Sequence, residues 1–142
     1  MEPFIALVVG FAVARLVGVA GVDALDDWQS ALRVGVALMF LFTVSAHAHP
    51  KLRADLIGMV PPALPRPDLL VTATGVLELA GAIGLLIPAT STAAAWCLIA
   101  LMVAMFPANV SAAKRQVAQG DPIVQRSLWQ LVYIAAAALT LI

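Results

Sequence analysis

The sequence predicts an all-α membrane fold in which several apolar helices pack as a bundle. Three observations predict it. Hydrophobic residues make up 63% of the 142 residues and charged residues 11%, against roughly half and a quarter in an ordinary soluble domain, so there is too little polar surface to coat a globule in water. Five stretches approach the roughly 20 apolar residues that a helix needs to cross a bilayer. Residues that can start or stop helices mark several of the boundaries between these stretches.

The first stretch runs from about Pro3 to Val22 and is interrupted by Arg15. No lysine or arginine precedes it and no cleavage-like end follows it, which favours a retained helix over a signal peptide. The second runs from about Ala31 to His47 and ends where His49 precedes Pro50, because a residue before proline is pushed out of the α region. In the connection that follows, Leu52, Leu56, Met59 and Val60 fall near helical spacing ahead of Pro61 and Pro62. That pattern fits a short helix lying in the membrane interface, and it fits a polar connector equally well. The third stretch, about Leu69 to Ile87, can be capped by Asp68 and carries Glu78 at its centre. The fourth, about Ala93 to Phe106 with an extension toward Asn109, can be capped by Thr90–Thr92. The fifth reaches a spanning length of roughly 30 Å if Asp121 is its N-cap and Pro122 its first helical residue.

Basic residues orient the bundle. Lys51, Arg53 and Arg66 fall in one connection and Lys114, Arg115 and Arg126 in another; five spans put both on the same side, which the positive-inside rule makes cytoplasmic. The N-terminus is then inside and the C-terminus outside. Asp23, Asp26 and Asp27 lie on the outer side. The formal net charge is zero, which leaves no electrostatic basis for a nucleic-acid partner. The single cysteine, Cys97, excludes thiol–disulfide chemistry within one chain.

Glu78 poses the central chemical question. Its neighbours three and four residues away are Thr74, Gly75, Gly81 and Ala82, all small, and small faces mark close helix contacts in membranes. The carboxylate therefore points into the bundle, where an unpaired charge costs about 3 kcal/mol or more. The sequence offers Arg33, near the outer end of the second helix, and Arg15 as ion-pair partners. Arg33 is the expected one, because helices joined in sequence tend to pack together; Arg15 then needs Glu78 or an outer carboxylate such as Asp23. A fixed ion pair setting helix register and a carboxylate that binds or protonates a ligand are both open on these residues.

A second polar set lies toward the cytoplasmic end: Thr43 and His47 on one face of the second helix, Thr74 on the third, Asn109 after Pro107 on the fourth, and Gln130 and Tyr133 three apart on the fifth. These residues can line one cavity below Glu78 suited to the polar head of a lipophilic molecule, or each can cap a helix or meet headgroup water. Trp129 has the character of an interfacial anchor. His47 and His49 are two residues apart, roughly 200° around a helix, and no carboxylate or cysteine cluster joins them, so no metal site is expected.

The segment "ALRVGVALMFLFTVSAH", the run "MVPPALPRPDLLVTATGVLELAGAIGLLIP" and "AMFPANV" together resemble the DoxX-like family of small bacterial integral membrane proteins. The resemblance extends from about Ala31 to the C-terminus and rests on the Arg33 segment, the His47 helix end, the Glu78 core and "FPANV". Ala48 stands where many relatives carry an aromatic residue. The resemblance implies a transmembrane four-helix bundle core over residues 31–142, with residues 1–30 forming an additional N-terminal transmembrane helix and acidic outer loop. It also implies the bacterial inner membrane and membrane redox partners. The leading functional expectation is an accessory protein that holds a lipophilic ligand such as quinone or docks to a membrane redox enzyme. The alternative is an isomerase- or hydrolase-type enzyme in which Glu78 gives or takes a proton with His47 or Tyr133 assisting. A transporter is the weaker expectation, since no inverted repeat is evident. Small-residue faces serve packing within a monomer or in a homo-oligomer equally well.

Overall fold

The computed structural model describes residues 2–118 and 121–142; residues 1, 119 and 120 lie outside it, so Met1 of the expected N-terminal segment is not covered. The described chain is helical throughout, with α1 (Glu2–Val19), α2 (Trp28–Ala48), α3 (Pro50–Met59), α4 (Pro67–Leu86), α5 (Ser91–Arg115) and α6 (Ile123–Leu139). A short 3-10 turn, Asp23–Leu25, joins α1 to α2.

Several helix ends differ from the sequence expectation. Helix α2 begins three residues earlier than Ala31, because Asp27 takes the N-cap and accepts a hydrogen bond from the Ser30 amide at 2.7 Å. It stops at the residue before proline: His49 is extended (φ −83°, ψ 122°), and Pro50 opens α3. Asp68 does not cap α4. Arg66 occupies the cap position in the left-handed region (φ 51°), and Asp68 sits within the first turn, where a carboxylate still meets the positive end of the helix dipole. Pro107 does not end α5, which runs on to Arg115. Proline deprives only the carbonyl four residues back of its helical partner, a loss that spanning helices tolerate. Asp121 does not cap α6, which begins after Pro122. Its 17 residues make about 25 Å of helix, shorter than expected.

Helices α2, α4, α5 and α6 form a ring, each packed on the next, with α6 returning to α2. Helix α1 lies outside the ring along α2, its most extensive partner. Their backbones nearly touch: a Cβ on Gly35 would stand 2.7 Å from the Leu7 carbonyl oxygen, and one on Gly10 would stand 3.1 Å from the Gly35 Cα. The first turn of α1 also reaches α6, with the Phe4 and Trp129 rings 5.2 Å apart. Val36, Met39, Phe40, Ala82, Leu85, Ala95, Leu98, Met102 and Ala137 fill the centre. Outward faces carry Leu16, Val76, Trp96, Val124 and Leu131, all exposed. Among the described residues four helices, α1, α2, α4 and α5, are long and apolar enough to cross a membrane; α6 is a shorter apolar helix.

Helix α3 lies across the end of the bundle where α2 finishes and α4 begins, touching α2, α4 and α5. It has no buried residue. Polar ties hold it. Arg53 donates to the Thr72 hydroxyl at 2.8 Å and to the carbonyls of Asp68 and His47 at 3.2 and 3.4 Å. Arg115, from the end of α5, donates to the carbonyls of Gly58, Met59 and Val60 at 2.7, 3.2 and 3.0 Å, satisfying the C-terminal groups that a helix leaves unpaired.

Candidate functional site

Glu78 is 3% exposed, facing the ring interior from the middle of α4. Its partner is Thr43 of α2: the Thr43 hydroxyl lies 2.7 Å from Glu78 Oε2 and 2.8 Å from the Phe40 carbonyl oxygen. A threonine hydroxyl has one proton and serves one acceptor at a time. When it donates to Glu78, the Phe40 contact is left open. When it donates to Phe40, the contact with Glu78 closes only if the carboxyl carries the hydrogen. The direction of the Glu78–Thr43–Phe40 chain is thus tied to the protonation of Glu78.

The expected ion pair is not formed; neither arginine lies within ion-pairing distance of Glu78. Arg33 instead donates to the Thr140 carbonyl at the end of α6, at 3.3 Å, and its Nε is buried without a partner. Arg15 pairs with the Asp26 carboxylate at 3.8 Å and also donates to the Asp26 carbonyl, so its outer acidic partner is Asp26 rather than Asp23. The reason is axial level. Thr43, not Arg33, lies opposite Glu78, and ten residues of α2 separate the two, about 15 Å of helix.

A cavity of about 310 Å³ opens against Glu78. Its polar lining is Thr43, Glu78, Asn109, Gln130 and Tyr133, and its apolar lining includes Met39, Met102, Met105, Phe40 and Trp129. The Asn109 amide donates to Gln130 Oε1 at 2.8 Å, and Gln130 Nε2 donates to the Met102 carbonyl at 2.6 Å. This double tie holds both amides in place and leaves each with one further N–H. Trp129 is not simply an interfacial anchor: it lines the cavity, and its ring stacks on Tyr133 at 6.1 Å. Asp121 and Arg126 also line the cavity, with Arg126 Nε donating to the Asp121 carbonyl at 3.2 Å.

The single cavity expected from the sequence is two. His47 and Thr74 line a separate chamber of about 200 Å³ beneath α3, with Leu56, Met59, Val60 and Leu64 on the α3 side. Met105 and Asn109 line both spaces and form the wall between them. His47 packs against Gly75, where a Cβ would come within 2.8 Å of the ring. Its Nδ1 lies 3.2 Å from the Thr43 carbonyl oxygen. A carbonyl can only accept, so Nδ1 carries the proton in this contact.

Sequence reasoning missed the methionines and Phe40, which read as ordinary span filler. One signal was present: Met102, Met105 and Asn109 recur at helical spacing, placing two polarizable side chains on the face that carries the amide. No group of three His, Cys, Asp or Glu side chains suited to a metal ion occurs among the described residues. The arrangement can hold a molecule about the size of one substituted ring, with sulfur and aromatic contacts on its faces and hydrogen-bonding groups at its edge.

Comparison with curated proteins and with solved structures found no match. Residues 38–140 match the model of a protein family, and this stretch holds every residue lining the Glu78 cavity except Pro3. The family is described as a domain of unknown function (DUF8561), and the chain belongs to it.

Proposed function

We propose that this chain is a multi-pass membrane protein whose helix ring binds a small lipophilic molecule with a planar, hydrogen-bonding head. The basic residues at the α3 end, Lys51, Arg53, Arg66, Lys114 and Arg115, support a cytoplasmic position for that end by the positive-inside rule, and with it an N-terminus inside and a C-terminus outside. The observation that carries the proposal is the convergence of Glu78, Asn109, Gln130 and Tyr133 with three methionines and two further aromatics around one space. Such a lining suits a quinone: the free N–H groups of Gln130 and Asn109 can donate to a ring oxygen, and Met and Trp contacts favour a planar π system. The resemblance to DoxX-like proteins supports the same choice and adds a membrane redox enzyme as the partner that would share the ligand.

The test uses Trp129 as reporter. With Trp28 and Trp96 changed to phenylalanine, the protein in lipid nanodiscs is titrated with a short-chain quinone. Saturable quenching is expected, weakened roughly five-fold by Gln130→Leu, the effect of about one net hydrogen bond. Lipid extraction and mass spectrometry of protein purified from native membranes should also recover a quinone in excess of bulk lipid. Non-saturable quenching together with no enriched lipophile would refute the proposal.

A second reading is favoured by the reversible Glu78–Thr43–Phe40 chain: Glu78 as a proton donor and acceptor to a bound apolar substrate, with Tyr133 in the same cavity. His47, in the other chamber, would not assist directly. Turnover that is lost in a folded Glu78→Gln variant would favour this reading over simple binding.

A further inference from the structure

The chamber beneath α3 has no role in the binding site just described, and its construction suggests one. Its α3-side wall is amphipathic only in a weak sense: α3 contributes Leu56 and Met59 to the chamber yet buries no residue. Leu56, Ile57 and Met59 are only half-buried, so the polar ties carry a large share of what holds the helix closed. At its C-terminal end those ties converge on one side chain, Arg115, which is braced by the Ser111 hydroxyl at 2.8 and 3.0 Å. Both ends of α3 are bounded by non-helical residues, His49 and Val60, which can absorb a rotation without unwinding the helix. The inner wall of the chamber is the pair Met105 and Asn109, which also faces Glu78's cavity. The two residues shared by both spaces carry one flexible thioether and one amide.

We propose that this chamber is a second, transit site for the ligand of the Glu78 cavity, and that α3 is its hinged cover, latched by Arg115. The inference rests on the binding function proposed above. With the Nδ1 proton on the Thr43 carbonyl, a neutral His47 ring offers Nε2 as an acceptor that no described protein group fills, and we assign to it the hydrogen-bond donor of a lipophilic ligand. The ligand enters from the membrane face at the α3 end, passes His47, and reaches Glu78 when Met105 and the Asn109–Gln130 pair shift.

Two cysteine reporters test the route without any ligand. Thr74→Cys lies only in the chamber and Thr43→Cys only in the Glu78 cavity; each is made with Cys97→Ala, and its reaction with N-ethylmaleimide is timed in nanodiscs. Arg115→Ala should speed both reactions roughly five-fold, the rise in open population from losing about one net hydrogen bond. Acceleration at position 74 alone would show a blind chamber and overturn the route; no acceleration at either site in folded protein would overturn the latch. Should Arg115→Ala fail to fold, Arg115→Gln and Ser111→Ala loosen the same contact more gently and must show the same ordering of rates. Decylhydroquinone, with its two hydroxyl donors, should protect the cysteine at 74, while its dimethyl ether should not. Equal protection by both overturns the hydrogen-bond assignment. Since the labelling rates need no ligand, they can fail while the Trp129 titration succeeds, or the reverse.

Discussion

Replacing Thr43 with valine keeps the shape of the side chain and removes one oxygen. In this fold that oxygen is the only hydrogen-bond partner, among the described residues, of a carboxyl that is 3% exposed. Leaving a buried polar group unpaired costs about 1–3 kcal/mol, while the added methyl returns at most about 0.8 kcal/mol by burial. Hydrogen bonds between helices in membranes average about 0.6 kcal/mol and reach about 1.7. With no alternative partner among the described residues, this one falls toward the upper end. Thr43→Val should therefore destabilise by about 1–2 kcal/mol, a factor of 5–30 in the folded-to-unfolded ratio. Thr43→Ser should be milder. Glu78→Gln should cost less than about 1 kcal/mol, since an amide N–H can donate to Thr43 while Thr43 donates to Phe40. The assay is equilibrium unfolding in mixed micelles by SDS titration, followed by tryptophan fluorescence, with Thr43→Val and Glu78→Leu closing a double-mutant cycle. A coupling of about 1 kcal/mol or more is expected. If Thr43→Val falls within about 0.5 kcal/mol of the parent and the coupling vanishes, Thr43 is not what satisfies Glu78, and the reasoning fails.

Three further predictions concern the frame around the site. Gly35→Ala places a Cβ 2.7 Å from the Leu7 carbonyl oxygen, backbone that can move only by shifting α1. Overpacking of about 1–3 kcal/mol should outweigh the propensity gain of at most about 1 kcal/mol, and the same SDS titration should show net destabilisation. Gly58→Ala in α3 meets nothing within 4 Å and should instead raise stability by up to about 1 kcal/mol; the same sign for both substitutions would contradict the close α1–α2 contact. At the α2 N-terminus, the hydrogen bonds from Ser30 hold the Asp27 carboxyl below its ordinary value of 3.8. A lowered folded value means that the cap's stabilisation is fully present above that ordinary value and fades as pH falls through the lower one. Asp27→Ala should cost about 1 kcal/mol at neutral pH, and Asp27→Asn should keep the cap while flattening this acid limb, as read by thermal melts between pH 2 and 6.

Much of the frame was legible because it depends on local properties. Runs of apolar residues of spanning length, a proline after His49 and a carboxylate on a face of glycine and alanine are visible without knowing which helix neighbours which. Errors at helix ends were local too. Pro107 reads as a stop in water but not in a long apolar helix, and Asp68 and Asp121 look like caps where the cap position falls two residues before the one and one residue after the other.

The sequence by itself determined that this protein is a set of apolar helices with an acid, Glu78, turned inward, since composition and the 3.6-residue period settle what a helix buries and on which side. Only the tertiary structure decided what stands opposite that acid. Period assigns a residue to a face but says nothing of its height relative to a neighbouring helix. That height follows from close contacts such as Gly10 on Gly35 and from where each connection releases the chain. A shift of two or three turns is the difference between Arg33 and Thr43 as the partner of Glu78, and it also puts His47 beyond the Met105–Asn109 wall, in a chamber of its own.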